Sequence, residues 1–301
     1  MKVGVFLEDF SPDVGGGYTI QEDIFRALLD LMDETSHSFV LFCRRPEAFR
    51  SLLTTPRLTA VAFPGNLGQR VFARAQSGLN SLIESRQRQT RLEQLCKESG
   101  VEFMWFVGAE AVQIDLPYMA IVWDLQHRLQ PWFPEVSAGG TWRQRETFYG
   151  EYLRRATYII AGTDAGRLEI ERFYQVTSNR IMILPHPTPA FALNAKPADV
   201  ASVLKKYGLR SNYLFYPAQF WSHKNHANLL LAAAELKREH QIDMQVVFVG
   251  SNKGNEEYVR TFATQLNPSI DVAFLGFVPL EDLIALYRGA FALGYVTFFG
   301  P

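Results

Sequence analysis

Three cationic side chains are grouped where an apolar strand pattern gives way to a helical one. Residues 217–226 read Pro-Ala-Gln-Phe-Trp-Ser-His-Lys-Asn-His and carry His223, Lys224 and His226. The helical pattern begins after Asn225, and a helix N-terminus repels cations because of its unpaired N–H groups and partial positive charge. The grouping therefore predicts an external anion, and a phosphate on the helix N-terminus is the common case. The alternative is a lysine side chain that simply extends into solvent.

A glycine-rich loop follows the first strand candidate. Gly15, Gly16 and Gly17 precede the residues Thr-Ile-Gln-Glu at 19–22, which have the pattern of a capping box at a helix start. Glycines let the backbone approach a ligand closely, and the helix start supplies donors to a phosphate. The loop lacks the G-x-G-x-x-G dinucleotide pattern and the G-K-S/T of a P-loop. We interpret Gly16 and Gly17 as phosphate-approaching residues, with a flexible turn as the alternative.

Asp124 and His127 lie just past another strand candidate, where ligands gather in open α/β sheets. A histidine there can hydrogen-bond a hydroxyl group, and an aspartate can hold it in one tautomer. The aromatic-rich residues 131–135 follow and could line a cleft. A structural histidine in a loop would give the same pattern. The sequence contains no H-E-x-x-H, C-x-x-C or G-x-S-x-G motif, so zinc hydrolysis and serine-esterase chemistry have no support.

The composition limits the class of protein. The chain has 301 residues, 48% of them hydrophobic, and a net charge of −1, so it can bury a sizeable core and has no basic excess indicating nucleic acid. Cys43 and Cys96 are expected to be buried thiols in a reducing compartment. The N-terminal apolar run is too short for a signal peptide, and no run approaches a membrane span. A soluble, cytoplasmic protein is expected.

The stretch 68–91 contains five arginines and a single acid, with apolar residues at helical spacing. Such a basic amphipathic surface could meet a membrane or an anionic lipid acceptor, which would place the protein at the inner face of the membrane. The alternative, which we favour, is a surface helix packed on its own domain.

Short apolar runs alternate with helical patterns along the chain, which favours parallel sheets covered on both faces. Helical spacing is clear at Ile20, Ile24, Leu28 and Leu31, and again at Leu280, Leu283, Ile284 and Tyr287. The strand candidates are residues 3–7, 39–43, 58–63, 101–107, 118–123, 157–161, 181–184, 213–216, 244–249, 272–275 and 291–296.

A proline-rich break over 185–199 predicts a connection between two domains, 1–190 and 200–301. Because the last strand candidate is followed directly by residues 298–301 and no further helix, we expect the second domain to be incomplete. The predicted fold class is α/β, with two facing doubly wound, Rossmann-like domains and a cleft between them.

The order of these segments resembles that of retaining two-domain glycosyltransferases of the GT-B type, family four, a group with many bacterial mannosyl- and glucosyltransferases. The resemblance covers nearly the whole chain. It is carried by the glycine loop, by the segment from Asp124 to Glu135, by residues 156–185, by residues 217–226, by the run ending at Gly250, and by Gly276-Phe277-Val278 with the helix after it.

The resemblance implies that the second domain binds a nucleotide-diphosphate sugar and the first binds the acceptor. Family members typically need no metal and no cofactor beyond that donor. Lys224 takes the position of a lysine that grips the donor diphosphate, whereas Gln219 takes the position of the partner arginine. The implied donor-binding set is Gly16, Gly17, Gln219, Lys224, Asn225, His226, Gly250, Phe277, Thr297 and Gly300.

The sequence departs from the family pattern at two places. Trp123 occupies the position of a histidine near the sugar, so that role is transferred to His127. The family has two glutamates eight residues apart. Aligning Thr297 with the family's serine puts Gly300 where the first belongs, another register puts Thr297 there, and the second would lie beyond Pro301.

The predicted function is transfer of a hexose from a nucleotide-diphosphate sugar to a glycan or lipid-linked acceptor with retention, in polysaccharide biosynthesis. Lys224, His127 and Asp124 are the expected catalytic residues, and no metal is expected. One alternative is a non-catalytic module that binds a sugar nucleotide or a partner. Another is a nucleotide-sugar epimerase of the same architecture.

Overall fold

Two parallel sheets form the framework of this protein. The computed structural model describes residues 1–7, 16–47, 49, 55–63, 78–109, 111–195 and 199–300. The described part of the chain divides into a first unit, residues 1–129 and 139–189, and a second unit, residues 130–138 and 190–301.

The first unit contains a seven-stranded sheet whose paired strands all run parallel. Its order, β3-β2-β1-β4-β5-β6-β7, reverses direction between β1 and β4, as in a doubly wound fold. Continuous apolar runs form these strands because both faces of a covered parallel sheet are buried. The strands are β1 (Lys2–Phe6), β2 (Ser38–Cys43), β3 (Leu58–Ala62), β4 (Phe103–Phe106), β5 (Tyr118–Val122), β6 (Tyr158–Ala161) and β7 (Ile181–Ile183).

Helices connect these strands and bury one side against the sheet. Phe25 of α1 packs in the core with Leu41 and Val5, whereas Leu92 of α2 packs in a second core with Phe106 and Met104. The helices of this unit are α1 (Gly16–Asp30), α2 (Gly78–Ser99), α3 (Gln126–Leu129), α5 (Thr141–Arg155) and α6 (Asp164–Tyr174).

The second unit contains a smaller parallel sheet with the order β10-β9-β8-β11. Its strands are β8 (Tyr213–Pro217), β9 (Gln245–Val249), β10 (Val272–Phe274) and β11 (Ala292–Leu293). Its helices are α4 (Pro134–Ser137), α7 (Ala190–Leu193), α8 (Val200–Tyr207), α9 (His226–His240), α10 (Glu256–Gln265) and α11 (Leu280–Gly289). Residues 130–138 lie with this unit, although the chain on both sides of them lies with the first.

The predicted strands are confirmed: each candidate overlaps one observed strand, with ends shifted by up to a few residues. In two helices, the residues that show helical spacing in the sequence do not all lie on the buried face. Leu31 lies beyond the end of α1 and is exposed, while Phe25 is buried. In α11, Leu280 and Tyr287 are about half exposed, because the helix turns Ala285 and Leu286 towards the sheet.

The predicted capping box at 19–22 is wrong. Helix α1 already begins at Gly16, so Thr19 lies inside it and cannot be its N-cap. Gly15 and the residues before it back to residue 8 lie outside the described residues.

The prediction of two buried thiols is confirmed for Cys43 and Cys96. Burial raises the pKa of each thiol to about 12, which disfavours the thiolate, the nucleophilic form.

The basic stretch 68–91 is described only in part, because residues 64–77 lie outside the described residues. Within it, Arg88 is half-buried with its guanidinium 5.7 Å from the centre of the Phe63 ring. The following turns of α2 bury Leu92, Leu95 and Cys96 in the core of the unit. Among the helices that the structure describes, none is both long enough and apolar enough to cross a membrane.

Candidate functional site

The strand order of the second unit defines where a ligand is expected. The chain proceeds from β8 to β9 and β10 on one side, then returns to place β11 on the other side of β8. In open α/β sheets, ligands bind at the carboxyl ends of strands at such a reversal. The loops that leave β8 and β11, residues 218–225 and 294–300, are joined there by hydrogen bonds: the N–H of Phe298 donates to the carbonyl of His223 at 2.8 Å.

Lys224 ends a short 3-10 turn, Ser222–Lys224, that leads directly into α9. Asn225 follows in the left-handed conformation, with φ of 58°, and is the N-cap of α9. Its side chain makes no capping bond and instead donates to the carbonyl of Val296 at 2.9 Å. The hydroxyl of Tyr216 donates to the carbonyl of Lys224 at 2.8 Å. The lysine is therefore fixed at the start of a fifteen-residue helix whose N-cap side chain is used elsewhere.

Gly300 lies close to the Lys224 ammonium group. A Cβ atom placed on Gly300 would be 3.4 Å from Nζ of Lys224. Gly300, which one register of the family pattern places at a glutamate position, is therefore beside this lysine, and a side chain there would contact it.

His226 is not part of the cationic group that the sequence predicted. It is fully buried, its ring stacks on Phe220 at 4.3 Å between centres, and Nε2 lies 3.2 Å from the carbonyl of Ala218. Burial lowers the pKa of His226 to about 4, so the imidazole is neutral near pH 7. A role of His226 in contacting the donor is therefore not retained.

His223 is paired with a carboxylate to which the sequence interpretation gave no role in binding or catalysis. Oε1 of Glu135 accepts a hydrogen bond from the His223 backbone N–H at 3.0 Å and also contacts Nδ1 of its ring. Both side chains are largely buried. The carboxylate offsets the charge of a protonated His223, so this side chain is a weaker candidate ligand for an anion than the sequence pattern suggested. The aromatic-rich pattern around Glu135 indicated a cleft and gave no signal of this pairing.

Gln219 follows β8 and contacts the loop that follows β9. Its Nε2 donates to Oγ of Ser251 at 3.1 Å, and its Oε1 accepts from the indole N–H of Trp221 at 3.1 Å. The indole is only a donor, which fixes the orientation of the amide. The Lys253 ammonium lies 5.8 Å from the centre of the Trp221 ring. Gln219, at the position that the family pattern gives to arginine, is thus a neutral side chain hydrogen-bonded to residues of the second unit.

The remaining predicted residues of this unit differ in their surroundings. A Cβ on Gly250 would lie 2.2 Å from the carbonyl oxygen of Ala218, so glycine is required there by the close approach of two loops. Phe277 is 66% exposed. The hydroxyl oxygen of Thr297 lies 3.2 Å from the carbonyl of His223 and 2.6 Å from that of Phe299. Their contacts with a donor stay predictions.

In the first unit, His127 and Asp124 do not form the predicted catalytic pair. His127 is fully buried, with Nε2 3.1 Å from the hydroxyl of Tyr174 and 3.4 Å from a carboxylate oxygen of Glu146. Burial, reinforced by the nearby Arg145, lowers the pKa of His127 to about 4. Asp124 instead accepts from the backbone N–H of Gln126 at 3.0 Å and pairs with Arg145. The predicted role of this pair at the sugar is therefore not retained.

Gly17 has an internal reason to be glycine. It lies in the first turn of α1, and a Cβ on it would be 2.9 Å from the indole ring of Trp123. The group that approaches the Gly17 backbone closely is therefore the Trp123 side chain of the same unit. The part of Gly16 and Gly17 in approaching a phosphate stays a prediction.

Within the described parts of the chain, His, Cys, Asp and Glu side chains form no group of three or more that could hold a metal ion. The expectation that the activity needs no metal stays a prediction.

The comparison with protein families finds a match in the second unit. Residues 204–295 match the profile of the family described as Glycosyl transferases group 1. The matched segment contains Gln219, Gly250 and the 3-10 turn that ends at Lys224. Together with the two doubly wound sheets, this match confirms the resemblance to GT-B glycosyltransferases predicted from the sequence.

A curated relative supports the same class of protein, the glycosyltransferases. The chain is 26% identical over 167 residues to O-antigen chain mannosyltransferase B of Escherichia coli. That match covers 55% of this chain and 44% of the relative, so it spans less than half of the curated relative's length.

Two solved structures share the fold. Anabaena HepE in complex with UDP and glucose has a TM-score of 0.63 at 15% identity, covering 99% of this chain and 74% of that one. WaaG, described as a glycosyltransferase involved in lipopolysaccharide biosynthesis, has a TM-score of 0.63 at 16% identity, covering 98% and 75%. At these identities the likeness establishes the fold and not the ligand.

Proposed function

We propose that this protein is a glycosyltransferase that moves a hexose from a nucleotide-diphosphate sugar to a glycan or lipid-linked acceptor, with retention at the anomeric carbon. The observation that carries the proposal is the position of Lys224. It lies at the sheet reversal of the second unit, at the start of α9, and inside the segment that matches the group 1 family. That combination suits a diphosphate.

In the proposed reaction, Lys224 and the N–H groups at the start of α9 stabilise the negative charge that grows on the leaving diphosphate. Gln219 supports this as a neutral hydrogen-bonding group. Asn225, Thr297, Gly300, Gly250 and Phe277 form the rest of the proposed donor site. The first unit is proposed to supply the acceptor side, without a catalytic part for His127 or Asp124.

Supporting information on the ligand comes from the relatives. HepE was solved with UDP and glucose, and the curated relative is a mannosyltransferase of the O-antigen chain. We infer from these a nucleoside-diphosphate hexose as donor and a cell-surface polysaccharide as the destination of the sugar.

The proposal is tested by incubating the protein with UDP-glucose, UDP-galactose and GDP-mannose labelled in the sugar, with and without lipid-linked or oligosaccharide acceptors. Transfer that requires an acceptor supports the proposal, and the anomeric configuration of the product reports retention. Conversion of the donor sugar without any acceptor would instead identify an epimerase. Tight donor binding with neither outcome would identify a non-catalytic binding module.

Replacing Lys224 by alanine is expected to reduce turnover about a hundredfold, the usual effect of removing one group that stabilises transition-state charge. Lys237, near the C-terminal end of α9, provides the control lysine, since its ammonium pairs with Asp243 just after that end of the helix. Unchanged turnover in Lys224→Ala would remove this residue from the mechanism.

A further inference from the structure

We propose that Glu135 is a positioning residue of the donor site: its carboxylate holds the Ser222–Lys224 turn in the conformation that directs Lys224 to the diphosphate. This inference rests on the proposed function. It concerns a residue that the family resemblance includes but to which the sequence interpretation gave no role.

The first support is the burial of the carboxylate. The Glu135 side chain is 7% exposed, and a buried carboxylate is costly unless donors satisfy it. Two of those donors come from one residue, since Oε1 accepts from the backbone N–H of His223 and contacts Nδ1 of its ring. Hydrogen bonds to an ionised acceptor are stronger than neutral ones, so the pair fixes both the backbone and the side chain of His223.

The second support is the way His223 is held on its other side. Its carbonyl accepts from the N–H of Phe298 at 2.8 Å. Glu135 and Phe298 therefore hydrogen-bond the backbone N–H and the carbonyl of His223, respectively, and the next residue is Lys224. Since the Lys224 N–H closes the turn by donating to the carbonyl of Trp221 at 3.1 Å, the position of its Cα follows from the position of His223.

The third support is that two other residues of the segment 130–138 contact His223 or the neighbouring Phe298. The Phe133 ring lies 6.2 Å from the His223 ring and 5.7 Å from the Phe298 ring, measured between centres. Nε2 of Gln130 donates to the carbonyl of Phe298 at 3.0 Å. Helix α4 has four residues and cannot be stable alone, so these contacts are what place Glu135.

The test uses three variants of the full chain. Glu135→Ala removes both the charge and the acceptor, while Glu135→Gln removes the charge and keeps an acceptor oxygen. Glu257→Ala is the control, since it removes one exposed carboxylate from α10 of the same unit. The readouts are affinity for UDP and GDP by calorimetry, amide hydrogen exchange of peptides covering 219–226, and the thermal unfolding transition.

We expect Glu135→Ala to bind the preferred nucleoside diphosphate about tenfold to a hundredfold more weakly, the range for losing a hydrogen bond to a charged group. Exchange across 219–226 should become faster in the same variant. Glu135→Gln should lie between Glu135→Ala and wild type in both readouts, and Glu257→Ala should match wild type. This ordered series would separate positioning from a general loss of fold.

Unchanged affinity in Glu135→Ala, or unchanged exchange across 219–226, would overturn the inference while leaving the proposed function intact. Loss of cooperative unfolding in both Glu135 variants would also overturn it, because Glu135 would then serve the fold as a whole. If wild type itself binds neither UDP nor GDP, the proposed function fails first and the inference fails with it.

Discussion

Lys224 owes its proposed role to its neighbours more than to its charge. His223 precedes it and His226 follows two residues later, yet the first is paired with Glu135 and the second is buried against Phe220. The lysine is left at a helix start whose capping side chain is directed elsewhere. A diphosphate would complete that helix end with the charge that the dipole favours.

Gln219 offers a test of the electrostatics at the residue scale. Its amide lies between Ser251 and Trp221 at the carboxyl ends of β8 and β9. Replacing Gln219 by arginine adds a cation with a planar set of donors suited to phosphate, so affinity for a nucleoside diphosphate should rise about tenfold. Calorimetry measures this change. The exposed Gln265→Arg on α10 controls for net charge alone, and an equal gain in both variants would contradict a local effect.

The sequence alone could not separate a binding histidine from a core histidine. The neighbours of His226 in space, Phe220, Tyr216 and Phe248, come from different strands and loops, so its burial depends on tertiary structure. The same holds for His127 and its partner Tyr174, which are 47 residues apart. The position of Lys224 just before a helix could be predicted because the strand and helix patterns around it are local properties of the sequence.

At the scale of elements, strands were more predictable than helix faces and helix ends. Buried parallel strands appear in the sequence as continuous apolar runs, which need no knowledge of orientation. Helix α11 shows the contrast, since it buries Asp282, where Lys206 and Tyr207 satisfy the carboxylate, and exposes Leu280. The start of α1 was misplaced because a capping-box pattern is short and occurs inside helices as well.

Two helical glycines give a matched pair for testing the packing of α1. A Cβ on Gly17 would meet the Trp123 ring at 2.9 Å, whereas a Cβ on Gly150 in α5 would meet nothing within 4 Å. Gly17→Ala should lower the free energy of unfolding by about 1–3 kcal/mol through overpacking. Gly150→Ala should raise it by about 0.5–1 kcal/mol through helix propensity.

Urea unfolding monitored by circular dichroism measures both changes. The double variant Gly17→Ala with Trp123→Leu should recover part of the loss, because the smaller side chain leaves room for the new methyl group. A Gly17→Ala protein as stable as the Gly150→Ala protein would show that the Trp123 contact is not what requires glycine.

At the scale of the whole molecule, each unit carries one fully buried histidine, His127 in the first and His226 in the second, with pKa of about 4. The unfolded chain binds these protons near pH 6.5, so unfolding takes up protons between the two values. Stability is therefore greatest above about pH 6.5 and falls as the pH decreases towards about 4.

His226→Phe should flatten this pH dependence, since phenylalanine keeps an aromatic ring against Phe220 and does not titrate. The difference in unfolding free energy between about pH 7 and about pH 4.5 should shrink by on the order of 2 kcal/mol relative to wild type. Urea unfolding at each pH gives the values. The exposed His240→Gln should leave the pH dependence unchanged, and an equally steep curve for His226→Phe would contradict the assignment of His226 as a neutral core residue.

The two units repeat one topological idea, a parallel sheet whose strand order reverses beside its first strand. This repetition and the family match establish the fold class, while the ligand depends on the few residues after β8 and β11. The alternation of strands and helices in the sequence was sufficient to predict the fold class. The hydrogen bonds that join residues 218–225 to 294–300 link distant parts of the chain, and no local pattern indicates them.

The most direct measurement is calorimetric titration of wild type and Lys224→Ala with UDP and with GDP. We predict that wild type binds one of them and that Lys224→Ala binds the same nucleotide about tenfold to a hundredfold more weakly, with an unaltered unfolding transition. Equal affinity in the two proteins, or no binding to wild type, would contradict the claim that this lysine and the start of α9 form a diphosphate site.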